Sequence, residues 1–366
     1  MAKSALEVVR TAFAHAADQL AEPFRLGQWT RLALLALATG EISSGGSCNS
    51  MSSLPSKIPH SQSFADTPDL FWRNIFHGID PAILATVILI AIFGGLVLML
   101  VWIYVSSVSR FVLFEAVLRK NCDSLSDGWQ RWQSQGLRFF WWQLAVAVVG
   151  LAVAAALFIP LLIPVLATMR NHKQPGLETF AAFLPMVLVF MLFGLAMTLI
   201  TVLAKDFVIP YMAIDGTGVI EGWQRVLASM KAELGSYAGY IGMKIVLAIG
   251  ASIMFGILAW IAAMICLIPV GILVVIVVIF GKAAGLGWDV FTITTAIVAG
   301  TVVLVAVICV VALVCVPIAV FFPAYAMYFL AERYPALHAR LYPPPPPMSP
   351  RPPEPPPLAP APAPIG

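Results

Sequence analysis

A tryptophan followed two residues later by an arginine occurs in the same phrase at two places, Gly128-Trp129-Gln130-Arg131 and Gly222-Trp223-Gln224-Arg225. An indole offers a flat apolar body with one polar N–H. A guanidinium offers a planar fork that fits phosphate or carboxylate oxygens. At headgroup depth the two together can hold an anionic lipid or a partner protein. Their plainer use is to pin a helical elbow at the membrane surface. Trp129, Arg131, Trp223 and Arg225 are therefore the candidate lipid or partner contacts.

Other chemistry is sparse. The five histidines are scattered without an HExxH or HxH pattern, and the five cysteines form no CxxC. That leaves no metal ligand set, disulfide framework or cofactor motif. There is no GxSxG or P-loop pattern, and no acid, base and nucleophile converge. His172 and Glu178 share one short loop, where a solvated pair is the ordinary reading. Lys244, Glu115 and Asp206 stand near the ends of apolar runs. A lysine there commonly snorkels to the surface. An ion or proton path would need deeper charges, and more than one. The expectation is a non-enzymatic protein with no catalytic residue and no cofactor.

Composition decides what must position these residues. The chain has 366 residues, 60% hydrophobic and 11% charged, with a mean hydropathy of +0.92. Soluble domains carry roughly 25% charged residues, and no soluble core hides so much apolar surface. Lipid is the solvent that suits this chain. The net charge of +3, without a basic stripe, gives no argument for nucleic acid.

The order around each GWQR phrase also repeats. Phe111-Val112-Leu113-Phe114 leaves one apolar run and Phe207-Val208-Ile209-Pro210 leaves another, each ahead of a polar turn and GWQR. A repeat must be settled before the fold. It predicts a duplicated helical hairpin, over about 107–215 and 203–333, with Phe321-Phe322-Pro323 as a third exit motif. Each GWQR should sit on a short amphipathic helix of its own.

The chain in order reads as an all-α, polytopic transmembrane helical bundle of about six spans. Residues 1–28 form an amphipathic helix, with Leu6, Val9, Phe13, Ala16 and Leu20 at helical spacing. It lies in the interface or packs on the end of the bundle. Residues 29–341 form the membrane domain. Trp29–Gly40 reaches only about 18 Å against a hydrocarbon core of about 30 Å, so it is a re-entrant half-helix or an aided span. Residues 41–63 are a Ser/Gly-rich loop, and Phe71-Trp72 is an aromatic anchor. Clear spans are Pro81–Val105, Phe139–Thr168, Phe180–Ala204 and Thr292–Val316. Repeat parity makes 240–280 one crossing with an extension broken at Pro269. Ala147, Gly150 and Ala154 mark a face for close helix packing. Residues 342–366 are a disordered Pro-rich tail in polyproline II, either a spacer or a ligand for a protein partner.

Arg110, Arg119, Lys120, Arg131, Lys205, Arg225 and Arg333 fall on one side of this topology, with the basic residues of both termini. Lys57, Arg73, Arg170, Lys173 and Lys282 fall on the other. The positive-inside rule makes the first side cytoplasmic in a cell membrane, with both termini inside.

Glu22-Pro23-Phe24-Arg25-Leu26-Gly27-Gln28-Trp29, the short apolar stretch after it, and the repeated exits and GWQR phrases carry a resemblance. They resemble a family of uncharacterised prokaryotic multi-pass membrane proteins, similar in turn to the membrane domain of some glycerophosphoryl diester phosphodiesterases. The resemblance covers roughly residues 10–333 and implies a helical membrane protein. It attaches no catalytic role to any residue, because the phosphodiesterase barrel is absent. The expected function is a scaffold or a lipid- and partner-binding module, with a transporter or permease of repeated hairpins as the alternative.

Overall fold

Apolar sequence crosses lipid only as helices or a closed barrel, because no water is there to bond the backbone. The computed structural model describes residues 5–21, 25–41, 81–122, 124–170, 177–283 and 290–343, and its elements among these are all helical. In chain order they are α1 (Ala5–Ala21), α2 (Leu26–Thr39), α3 (Pro81–Leu118), α4 (Leu125–Arg170) and α5 (Leu177–Leu203). A π-helical turn (Ala204–Val208) leads into α6 (Ile209–Asp215). Then come α7 (Val219–Ala232), α8 (Leu234–Ala283), α9 (Val290–Val314), α10 (Val316–Ala331) and α11 (Pro335–Leu341).

Among the described residues five helices, α3, α4, α5, α8 and α9, are long and apolar enough to cross a membrane. At most 11% of the most apolar stretch of each is buried against protein. The rest is exposed apolar surface, which only lipid suits as a solvent, and the chain is an all-α multi-pass membrane protein.

Trp29–Gly40, the short segment counted among the six, falls in α2. Its 14 residues span about 21 Å. The Gln28 amide donates to the Lys120 carbonyl at 3.3 Å, and Thr39 at the other end accepts from the Ser106 hydroxyl at 3.4 Å. α2 therefore runs beside residues 106–120 and stops where the apolar stretch of α3 begins. Gly40 closes it in the left-handed region, φ 71°, which glycine adopts without a Cβ penalty.

Two expectations are corrected. Residues 240–280 are not broken at Pro269: α8 is one 50-residue helix with that proline inside it, about 75 Å long. Local adjustment lets membrane helices tolerate proline. The first GWQR phrase has no helix of its own. It lies in the opening turns of α4, because nothing between Trp132 and Phe139 breaks the helix. The second does sit on a separate helix, α7, since Glu233 leaves helical geometry at φ −136° and ψ 54°.

Close packing on α4 comes from small residues. A Cβ on Gly136 would stand 2.9 Å from the Val108 Cα, and one on Gly150 would stand 2.6 Å from the Met197 methyl. The first contact brings α4 against α3, and the second brings it against α5.

The buried residues gather at one end of the spans. There α1, α2, the end of α3, the start of α4, the π turn, α6, α7, the start of α8, α10 and α11 share one core. We refer to this unit as the head. Its centre is α10, which is apolar all round, and most of its residues are buried. A helix with no polar face must be enclosed, and at 16 residues it falls short of the roughly 20 needed to span. Phe321-Phe322-Pro323 lies within this central helix.

α1 packs on α10 through Val8, Ala12, Ala16 and Leu20, whereas Phe13 is 68% exposed. The stripe is thus rotated from the expected one. His15 and Gln19 lie on the buried side because α3 ends against them. His15 Nε2–H donates to the Val117 carbonyl at 2.9 Å and the Gln19 amide donates to Ala116 at 3.0 Å. Those carbonyls belong to the last turn of α3, where they also accept from the Lys120 and Asn121 amides that close the helix, at 3.2 and 3.1 Å, so the side chains of α1 use their second lone pairs. With its proton on Nε2, the neutral His15 ring can accept at Nδ1 from the Tyr328 hydroxyl, 3.0 Å away. Burial lowers its pKa, with Lys120 adding to this and the Val117 bond and Asp18 opposing it. A lowered folded pKa means the undocked state binds more protons. Docking of α1 is therefore complete above the ordinary histidine range near 6.5 and weakens as pH falls below it. Hydrogen exchange of α1 amides should accelerate between about pH 7 and pH 5, and His15→Gln should flatten that profile. An unchanged profile in the variant would refute this role.

The Ser/Gly-rich segment beyond Glu41, Phe71-Trp72, His172 and the proline-rich tail from residue 344 lie outside the described residues.

Candidate functional site

Both GWQR phrases are stitched to the exit motifs before them. A Cβ on Gly128 would meet Val112 Cγ1 at 3.0 Å, and one on Gly222 would meet Val208 Cγ1 at 2.9 Å. Glycine thus lets each phrase lie directly on the valine of its own exit motif. Arg131 pairs with Glu115, which also accepts the Trp132 indole N–H at 2.5 Å and the Arg119 guanidinium at 2.9 Å. Arg225 pairs with Asp215, and with Glu221 at 2.7 Å. Trp129 meets Tyr104 edge-on with centroids 5.9 Å apart, and Trp223 packs on Trp142 at 5.8 Å. The four candidate contacts therefore hold the head together in the first instance. Arg131 still keeps half its side chain exposed and lines a cavity of about 460 Å³ with Arg119, Asn121, Ser124 and Asp127.

A second group was not expected from the sequence. Arg110 and Lys205 each follow an apolar run, and Lys244 precedes one. The fold brings all three to the membrane side of the head. Glu41, just past α2, pairs with Lys205 at 2.7 Å. Asp206 pairs with Lys244 and accepts the Tyr240 hydroxyl at 2.9 Å. Tyr240 stacks on Tyr325 at 4.9 Å, and the Lys244 ammonium lies 5.8 Å from the Phe322 ring. Burial pushes the Glu41 carboxyl up, but Lys205, Arg110 and Lys244 outweigh it and hold the pKa at about 2.

Lys205 and Asp206 are consecutive, yet both line one cavity of about 40 Å³ with Glu41 and Arg110. They sit in the π turn, a widened turn frequent at functional sites. The walls are Leu113 and Phe114, Ile209 and Pro210, and Phe322 and Pro323. Residues of all three exit motifs thus meet at this point. One signal for the cluster was visible: Arg110 and Lys205-Asp206 stand immediately before the phenylalanine of an exit motif. Glu41 carried none, since it opens a stretch that reads as loop. Lys244, expected to snorkel, is instead paired. Among the described residues no three His, Cys, Asp or Glu side chains are grouped to hold a metal.

Residues 3–340 match a family of unknown function, DUF7544. The chain belongs to that family. The match takes in the head and all five spans, so the GWQR stitches and the charge cluster both lie within the family's own extent. No curated protein and no solved structure matches the chain.

Proposed function

We propose that this member of the family is a non-enzymatic membrane scaffold that binds lipids or a protein partner through its head. One observation carries the reading: the packed core lies at one end of the helices, while the spans face lipid along nearly all of their length. A permease would place a polar path between its spans. Here the charged cavity is walled by the exit segments at the head instead. The basic residues gather at the head end, which supports a cytoplasmic head in a cell membrane. The duplicated hairpin belongs to the same proposal, supported by the matching contacts of Gly128 on Val112 and Gly222 on Val208. So does the likeness to the phosphodiesterase membrane domain, which rests on sequence motifs alone. The proline-rich tail is proposed as a second contact for a protein partner.

Native mass spectrometry of gently extracted protein tests the reading. Wild type should carry a specific lipid or protein. Arg131→Ala/Arg225→Ala, which opens both stitches, should lose at least half of it. A wild-type protein that carries nothing from the membrane would refute the proposal.

A further inference from the structure

The charge cluster is uneven. Arg110, Lys205 and Lys244 face two carboxylates, and Glu41 and Asp206 are already engaged by Lys205 and Lys244. Arg110 Nε and Nη1 are fully buried and have no hydrogen-bond partner among the described residues. Its Nη2 reaches only the Thr39 carbonyl, at 3.5 Å, the outer limit of such a bond. Buried donors left without an acceptor are costly and rare. A water molecule would satisfy a donor but would leave the surplus positive charge uncompensated. An anion does both.

We propose that Arg110, with Lys205 and Lys244 beside it, forms a site for a phosphate-like oxyanion, supplied by the headgroup of an anionic lipid. Three features fit this ligand. The guanidinium fork matches phosphate oxygens. The cavity, about 40 Å³, has room for about three water-sized groups, the scale of a small oxyanion. Each of the three cations also stands where an apolar run meets the head, the level at which lipid phosphates lie. The inference rests on the reading of the head as a lipid-binding unit, but it names a different place in it from the GWQR stitches.

Thermal unfolding of the full-length, delipidated protein in detergent provides the test, followed by tryptophan fluorescence. Wild type should gain Tm saturably with added phosphatidylglycerol and not with phosphatidylcholine. Arg110→Gln should raise the half-saturating concentration at least tenfold. Arg110→Lys keeps the charge but loses the fork, and should weaken binding by a smaller factor; it serves if the glutamine variant does not fold. A response to inorganic phosphate alone, lost in Arg110→Gln, would support the same site with a soluble oxyanion as its source. Arg110 variants that titrate like wild type would overturn the proposal. If lipid is then still lost from Arg131→Ala/Arg225→Ala, the head remains a lipid-binding unit without this site. A wild type indifferent to both phosphatidylglycerol and phosphate overturns the proposal directly.

Discussion

Lys205→Met is expected to destabilise the head by about 3–5 kcal/mol, the usual cost of removing one partner of a buried ion pair. Lys205 and Glu41 lie 2.7 Å apart, and their side chains are only 13% and 16% exposed. The methionine fills similar space, so the loss is electrostatic rather than a cavity. It removes the largest of the attractions that hold the Glu41 carboxyl low while the burial that opposes its charge remains. Glu41→Gln/Lys205→Met should recover most of the loss, since a buried pair replaced on both sides is often close to neutral. A double-mutant cycle on equilibrium unfolding in detergent measures this. A cost below about 1 kcal/mol for Lys205→Met would show that the pair does not bind the segment after α2 to the π turn.

Phe329→Ala is the second large effect, at about 3–5 kcal/mol. Phe329 is fully buried on α10. Its ring meets Phe207 at 6.0 Å, Tyr237 at 5.4 Å and Tyr240 at 4.6 Å. The Arg333 guanidinium lies 4.1 Å above it. Truncation thus removes the ring that joins α10 to the π turn and to the start of α8, and it leaves a cavity the helices cannot easily close. Leu98→Ala on α3 is the contrasting case. Leu98 is 75% exposed to the lipid side and should change the same unfolding midpoint by less than about 0.5 kcal/mol. Equal effects at the two positions would contradict a core concentrated in the head.

Particular residues show how far the sequence could be read. The runs around Leu98, Leu188, Ile257 and Val302 identify spans with no structural help, because a stretch of that length and polarity has no other stable state than a helix in lipid. The Gly128 and Gly222 phrases could be seen to recur, but what their arginines reach could not, since Glu115 and Asp215 lie on separate elements. The face of α1 was misjudged for a related reason. Periodicity ranks positions by polarity, and it put Phe13 inward. Docking put His15 and Gln19 inward, where they bond the last carbonyls of α3.

By itself, then, the sequence determined that this protein is helical and multi-pass. Those properties follow from local composition and the solvent that composition requires. Only the tertiary structure decided that α2 stops at the head, that α10 is its buried centre, and that Glu41, Arg110, Lys205 and Asp206 meet in one cavity, with Lys244 paired to Asp206. Residues so far apart along the chain become neighbours through packing alone. Hydropathy reports how much each segment prefers lipid, and it holds no information about which charge faces which.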